Sequence, residues 1–204
     1  MIVCGQCGEY YGSKVWHSNT KYRKIIYRCN AKYKGEKCST EAIDEERLKE
    51  IFVEAINKLM YNKEEIIDNI RILLEAKSSK TTFANDIKEA AVSLNNIEQE
   101  YRQVIETQKT NPVPFDEYEL KVKEYSTKYD NAKERYNALI SGNRSHEKKI
   151  IQLEQYVQSL ESIDGIIKEY DYDLMKRTVE VMMVNMDGTI TVRFIGEQEI
   201  TIKI

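Results

Sequence analysis

The stretch Cys4-Gly5-Gln6-Cys7-Gly8 decides how the start of the chain folds, together with Cys29 and Cys38 further along. Four cysteine sulfurs at about 2.3 Å complete the tetrahedral shell of a zinc ion, and two short chain reversals can present them. Gly8 lets the backbone curl so that amide N–H groups point at the sulfurs. The spacing therefore predicts one structural zinc ion bound by Cys4, Cys7, Cys29 and Cys38.

Two disulfides, or four unrelated core cysteines, are the alternatives to a zinc site. The sequence shows no secretory signal peptide, which disfavours disulfides because these form in oxidising compartments. Scattered core cysteines would not all fall within the first 38 residues. We therefore expect reduced cysteines and a cytoplasmic protein.

Charge is distributed unevenly along the 204 residues. Residues 1–40 hold eight Lys or Arg and two Glu, a net charge of +6, whereas residues 41–204 carry −9. A small basic module on an acidic scaffold favours a polyanionic partner at one end, although solubility alone could produce the same pattern. No apolar run is long enough to span a membrane.

The segments next to the cysteines have strand and helix patterns. Residues 10–16 and 22–28 are rich in Tyr, Val, Ile and Trp, which predicts a zinc β-ribbon. His17, between them, could be a spare metal ligand, but we expect a surface residue or a DNA contact. Glu41 to Tyr61 is predicted to be a helix whose apolar face, from Ile43 to Leu59, packs on the ribbon. A break is expected at Tyr61-Asn62.

Two series of mainly apolar residues at heptad spacing, here called stripes, follow in the sequence. One runs from Ile70 to Gln108 and the other from Phe115 to Leu160. Asn111-Pro112-Val113-Pro114 separates them, and proline stops a helix because it lacks the N–H. Each stripe alone could be an ordinary core-facing helix. Together they predict an antiparallel coiled-coil hairpin, with arms of about 45 residues and roughly 70 Å.

If the hairpin folds about Asn111-Pro112, the numbers of two facing residues sum to about 223. Polar residues then interrupt both stripes at the same height along the hairpin. Lys77 would then face His146, and Lys80 would face Asn143, next to Gly142. We interpret residues 77–82 and 141–146 as a hinge; a solvated kink without function is the alternative. The apolar tip, with Val113, Phe115 and Tyr118, suggests a docking site.

The sequence pattern near the end of the chain predicts a short helix from Tyr170 to about Val181 and a small sheet. Met186-Asp187-Gly188-Thr189 is a hairpin turn between a strand near Met182–Met186 and the strand Thr189–Ile195. A last strand covers residues 199–204. Because such a small sheet needs a partner surface, we expect it to pack on the ribbon and its helix.

The predicted fold is therefore α+β, with a coiled-coil hairpin inserted into a small zinc domain. Residues 1–62 form the zinc ribbon and its packing helix, and residues 63–162 form the hairpin, with its tip near 109–115. Residues 163–204 form the short helix and the β-hairpin that complete the zinc domain.

This layout resembles the C-terminal region of the large serine recombinases, which include phage serine integrases and transposases of mobile elements. The resemblance lies in Cys4-Gly5-Gln6-Cys7-Gly8, in Tyr27-Arg28-Cys29, in Cys38 and in a helix with Leu48 and Phe52. The coiled coil and the segment Asp187–Phe194 are also similar to that region. The resemblance implies a non-catalytic fragment of a bacterial or phage-encoded site-specific DNA recombinase, whose catalytic serine lies in a separate domain.

The resemblance also implies partners. The zinc domain would bind attachment-site DNA, and the coiled coil would contact other recombinase subunits and a directionality factor. The expected DNA contacts are Lys14, His17, Asn19, Lys21, Tyr22, Arg23, Lys24 and Arg28. The cations would mostly meet phosphates, and Arg23 or Asn19 could reach base edges. The alternative function is a zinc-stabilised coiled-coil adaptor without DNA binding, which the charge asymmetry disfavours.

Overall fold

Seven strands and five α-helices lie in residues 1–33, 38–78 and 82–204, which the computed structural model describes. The strands are β1 (Ile2–Cys4), β2 (Tyr11–Trp16), β3 (Lys24–Cys29), β4 (Ile43–Asp44), β5 (Val179–Val184), β6 (Thr189–Phe194) and β7 (Glu199–Lys203). The helices are α1 (Glu45–Met60), α2 (Lys63–Ser78), α3 (Thr82–Thr110), α4 (Phe115–Glu161) and α5 (Tyr172–Thr178). A short 3-10 helix covers Asn30–Tyr33.

The chain forms two structural units, one of Met1–Leu74 with Ile151–Ile204 and one of Glu75–Ile150. The predicted α+β class is confirmed, with an N-terminal ribbon, a pair of long helices and a C-terminal sheet. Within the described ranges, no helix combines the length and apolar character that crossing a bilayer requires.

Two sheets build the first unit. The ribbon sheet has the order β2-β3-β4 and is antiparallel throughout. The second sheet has the order β1-β5-β6-β7, in which β1 runs parallel to β5 and the later strands are antiparallel. Strand β1 was not predicted from the sequence. Through β1, the first residues of the chain form hydrogen bonds with β5, which lies near the end of the sequence.

The C-terminal sheet follows from alternation and from its turn. Ile190, Val192 and Phe194 of β6 are fully buried, while Arg193 between them is exposed. At the preceding turn Gly188 has a positive φ of 74°, and the Asp187 carboxylate accepts a hydrogen bond from the Thr189 amide at 3.1 Å. The predicted Asp-Gly turn is thus confirmed.

Helix α1 supplies much of the core of this unit. Ile51, Phe52, Ala55 and Ile56 are completely buried, and the helix packs against β3, β4, β6 and β7. Each large side chain of this kind stabilises the fold by about 1.5–3 kcal/mol. The helix begins at Glu45, so the prediction of a start at Glu41 was wrong. Ile43 instead lies in β4, because pairing with Tyr27 of β3 gives its backbone a sheet partner.

The turn between β6 and β7 packs on the helices that leave this unit. A Cβ added to Gly196 would lie 2.7 Å from Tyr156 Cε1 and 3.0 Å from Ile70 Cδ1. Tyr156 is completely buried, and its hydroxyl donates to Gln198 Oε1 at 3.1 Å. The parts of α2 and α4 next to the sheets therefore belong to the first unit's core.

The prediction of a longer helix before β5 was also wrong. Helix α5 ends at Thr178, and β5 starts at Val179 rather than near Met182. The Asp171 side chain caps the start of α5 by accepting from the amides of Asp173 and Leu174. Sheet pairing with β6 on one side, and with β1 on the other, outweighs the helical pattern after residue 178.

In the second unit, α3 and the first part of α4 are joined by the predicted proline turn. Tyr101 of α3 stacks on Tyr125 of α4, with ring centroids 6.4 Å apart. The predicted register placed Val122 there, three positions earlier along α4. The shift arises because the turn is centred near Val113 rather than at Asn111-Pro112, about which the predicted register folded the hairpin.

Candidate metal centre and nucleic-acid interface

The sulfur atoms of Cys4, Cys7, Cys29 and Cys38 come together at one end of the ribbon. All four lie within 4.8 Å of one another, and none forms a disulfide. The separations include 3.3 Å for Cys4 with Cys38 and 3.4 Å for Cys7 with Cys29. Tetrahedral zinc with Zn–S bonds of about 2.3 Å needs sulfurs about 3.8 Å apart, so the donor set fits zinc in chemistry and in size.

The first pair of cysteines lies on a tight backbone turn. Gly8 adopts the left-handed conformation, with φ 72°, and its amide donates to the Cys4 carbonyl at 2.8 Å. The Cys4 amide in turn donates to the Glu9 carbonyl at 2.9 Å. These bonds hold Cys4 at the end of β1 and leave Cys7 exposed on the turn.

Two residues that the sequence analysis missed lie against the sulfurs. Thr40 Oγ1 is 3.4 Å from the Cys4 sulfur and 3.2 Å from that of Cys38. Gln6 Oε1 accepts from the Ser39 amide at 3.0 Å, which ties the first turn to the segment after Cys38. A hydroxyl beside two thiolates can donate its one hydrogen bond to either of them, so Thr40 supports the ionised form of the site.

The pKa values of the thiols differ for physical reasons. Burial raises the pKa of Cys29 to about 12, and the neighbouring Cys4 sulfur adds to the rise. Burial also raises the pKa of Cys4, but hydrogen bonds from Thr40 and from the Cys7 amide outweigh it and lower the value to about 6. Four thiolates this close repel one another, so ionising the whole set requires a cation such as Zn²⁺.

The hairpin of β2 and β3 carries most of the predicted DNA contacts. Every residue from Ser13 to Lys24 is exposed. Because side chains alternate along a strand, Lys14 and Trp16 of β2 share a face with Lys24 and Arg28 of β3. In the loop, His17 has a positive φ of 54°, and its carbonyl accepts from the Thr20 amide at 3.0 Å.

The cations of the hairpin have distinct surroundings. Lys24 Nζ lies 3.1 Å from Asp44 Oδ1 and 5.8 Å from the centroid of the Trp16 ring. Lys21 Nζ lies 5.2 Å from the Tyr22 ring centroid. Arg28 is only half-exposed, and its buried Nε has no hydrogen-bond partner among the residues that the structure describes.

The start of the chain matches a known family. Residues 1–57 fit the model described as the recombinase zinc beta ribbon domain. Residues 1–57 are thus similar to a recombinase zinc ribbon. This match supports the resemblance to the C-terminal region of a serine recombinase, and together with the four-cysteine cluster it supports structural zinc binding.

A solved structure entitled "Crystal Structure of a LSR-DNA Complex" is also similar. The two chains are 13% identical, with a TM-score of 0.35, over 95% of this chain and 54% of the other. The present chain thus spans about half the length of that one. No curated protein matches the sequence.

Of the eight predicted DNA contacts on the ribbon, seven are exposed and Arg28 is half-buried. Sequence reasoning missed Trp16, which is exposed beside Lys24, and Asp44, which pairs with Lys24. The strand pattern placed Trp16 correctly in β2, but only the pairing with β3 shows which cation lies next to it.

At the tip of the helical hairpin, Phe115 is 72% exposed, whereas Val113 and Tyr118 are half-buried. The Gln108 side chain closes the turn through two bonds to the Val113 backbone, at 3.0 and 3.1 Å. The tip thus presents one largely exposed aromatic ring, that of Phe115, beside a turn held by two hydrogen bonds. Its role as a docking site stays a prediction.

The predicted hinge residues are only partly described. Lys80 lies outside the described residues, and Lys77 is described only as part of the α2 backbone. Helix α4 runs without interruption through Gly142, Asn143 and His146. His146 lies against the Phe83 ring, with centroids 5.6 Å apart, so the predicted register, which put His146 opposite Lys77, was wrong at this level. The hinge therefore stays a prediction.

Proposed function

We propose that this chain is the non-catalytic C-terminal region of a large serine recombinase, in which the zinc ribbon binds attachment-site double-stranded DNA. The full-length protein is then a site-specific DNA recombinase of a phage or bacterial mobile element, acting in the cytoplasm. The observation that carries the proposal is the exposed cationic hairpin of residues 13–24 on a ribbon of recombinase type.

One zinc ion, bound by the four cysteines, positions that hairpin. Cys4 ends β1 and Cys29 ends β3, so the metal ties the sheet of the chain's C-terminal strands to the ribbon strand that carries Lys24 and Arg28. The closed shell of four sulfurs leaves no open position for catalysis. The metal's role is to hold the DNA-binding surface in place.

The hairpin meets DNA chiefly through phosphates. Lys14, Lys21 and Arg23 neutralise backbone charge, and each neutralised phosphate releases condensed counterions. Arg23 and Asn19 lie on the exposed loop and can reach base edges, since guanidinium and amide groups match the donor and acceptor pattern of the major groove.

Binding to a fluorescently labelled pool of random duplexes tests this function, followed by selection of the preferred sequence. We expect affinity to fall steeply with added salt, and Lys21→Ala to make the slope of log K against log salt shallower by about 0.9. Exposed Lys168 lies outside the ribbon, so Lys168→Ala is the matched control and should leave the slope unchanged. Absence of salt-sensitive binding to any duplex would falsify the proposal.

We further propose that the helical hairpin controls synapsis through its tip and hinge. The tip would contact other recombinase subunits or a directionality factor through Val113, Phe115 and Tyr118. The hinge would let the helical hairpin change direction, and its residues are Lys77, Lys80, Gly142, Asn143 and His146. In the intact recombinase, Phe115→Ser should weaken pairing of attachment sites while single-site DNA binding persists. Equal loss of both activities, or of neither, would count against this role.

A further inference from the structure

The chain's single tryptophan, Trp16, lies at the outer end of β2 in the cationic hairpin. Trp16 is 42% exposed, and its ring centroid lies 5.8 Å from Lys24 Nζ. Tryptophan is enriched at contact surfaces because its indole offers a large apolar area together with an N–H donor. The position of this ring among the cations needs a functional explanation.

The immediate surroundings of Trp16 are positively charged. It stands directly opposite Lys24 in the β2–β3 pairing, and Lys14 lies on the same strand face. Lys21 and Arg23 belong to the adjoining exposed loop. A cationic rim of this kind would repel a basic protein partner and attract a polyanion. Charge complementarity therefore selects a polyanion as the occupant of the surface around Trp16, and the proposed function makes that polyanion double-stranded DNA.

We infer that Trp16 is an apolar DNA contact, its indole lying against deoxyribose and base edges while the neighbouring cations hold the flanking phosphates. This inference rests on the proposed DNA-binding function and specifies a contact that none of the charged residues can make. Aromatic rings bury a large area at small cost in side-chain entropy, and apolar groups contact the thymine methyl in the groove. The DNA would then show a sequence preference at the base pair that Trp16 contacts.

An apolar contact has a different salt dependence from an ionic one. Removing a lysine that meets a phosphate reduces the number of released counterions and makes the salt slope shallower. Removing an uncharged ring lowers affinity equally at every salt concentration. The two kinds of contact can therefore be separated in one set of titrations.

Because Trp16 is the only tryptophan, the protein's tryptophan emission reports on this residue alone. The full chain, loaded with zinc, is titrated with the selected duplex while emission and acrylamide quenching are recorded. We expect DNA to change the emission and protect the ring from acrylamide. Trp16→Ala should lower affinity about ten-fold or more with an unchanged salt slope, since truncating a tryptophan buried at an interface removes a large contact, and Trp16→Phe should restore most of the affinity.

Zinc content, measured for every variant, shows whether the ribbon still folds, and Tyr61→Ala is the control for an exposed aromatic residue outside the hairpin. Wild-type affinity of Trp16→Ala, with Trp16 emission unmoved by DNA, would overturn the inference while the DNA-binding function stands. A shallower slope in Trp16→Ala, equal to that of Lys24→Met, would show that Trp16 only positions Lys24, which also overturns it. Failure of the wild-type chain to bind any duplex removes both proposals.

Discussion

Lys24 Nζ lies 3.1 Å from Asp44 Oδ1, so one cation of the hairpin is already paired within the ribbon. The short strand β4 brings Asp44 there by pairing with β3. Both side chains are about half-exposed, and such pairs contribute only about 0–1 kcal/mol to stability. The carboxylate therefore matters more for the charge offered to DNA than for the fold.

Asp44→Asn should strengthen DNA binding. The change frees Lys24 to meet a phosphate, and it makes the salt slope steeper by up to about 0.9. Asn is as good as Asp at a helix N-cap, the position that residue 44 occupies before α1, so the melting temperature should change little. Fluorescence anisotropy at several salt concentrations measures the effect. Weaker binding by this variant would contradict the assignment of Lys24 to the interface.

Zinc removal should unfold the ribbon. The sulfurs of Cys4 and Cys38 come from segments far apart in sequence, so the metal stabilises contacts that the small ribbon core cannot maintain alone. We expect one zinc per chain by elemental analysis, and loss of near-ultraviolet circular dichroism and of DNA binding after chelation. Cys38→Ser should have the same effect, whereas Ser18→Ala, on the exposed loop, should retain the metal. Full DNA binding by the chelated protein would refute this role.

Gly196→Ala should destabilise the first unit. The added methyl would lie 2.5 Å from Gln198 Oε1 and 2.7 Å from Tyr156 Cε1, and the buried tyrosine ring cannot move aside easily. Overpacking of this kind costs about 1–3 kcal/mol. Urea denaturation measures the loss. An unchanged midpoint would show that the β6–β7 turn does not pack tightly on α4.

Gly142→Ala, in contrast, should stabilise α4. In the middle of α4, a Cβ at this position would lie 3.6 Å from Phe83 Cε1, an ordinary contact. Replacing glycine by alanine inside a helix stabilises it by about 1 kcal/mol. If residues 141–146 act as a hinge, the same variant should alter attachment-site selectivity of the intact recombinase while DNA binding is unchanged. Identical selectivity would argue for a passive helix.

Alkaline pH should weaken the fold through Tyr156. Burial raises the pKa of this hydroxyl well above its ordinary value. Folding therefore favours the protonated form, whose contribution is complete below about pH 10 and is lost as pH rises further. Denaturation at pH 8 and pH 11 should show a smaller alkaline loss for Tyr156→Phe than for the wild type. Tyr172→Phe, at a 60% exposed position, should behave as wild type.

Much of the site was predictable because its determinants are local. The spacing of the first two cysteines, with Gly8 after them, is enough to define the metal-binding turn. The heptad stripes and the prolines between them predict the two long helices, and Asp187-Gly188 predicts the last hairpin. Each pattern depends on backbone sterics or side-chain periodicity within a few residues, which a linear sequence contains in full.

The errors share one cause, which is competition between local preference and pairing with a distant segment. The residues around Ile43 have a helical pattern, but Ile43 lies in β4 and pairs with β3. Val179 continues the helical pattern of α5, but it lies in β5 and pairs with β6. The register of the long helices depended on where the turn between them is centred, which the spacing of apolar residues does not specify. Proline marks a turn but does not set its length.

By itself, the sequence determined the zinc ligands, the α+β class and the resemblance to a recombinase C-terminal region. Only the tertiary structure showed that β1 pairs with β5, that Asp44 neutralises Lys24 and that Trp16 lies among the cations of the hairpin. The physical reason is that these contacts join residues far apart in the chain or across a strand pair. Their energies depend on distances that exist only once the core has formed.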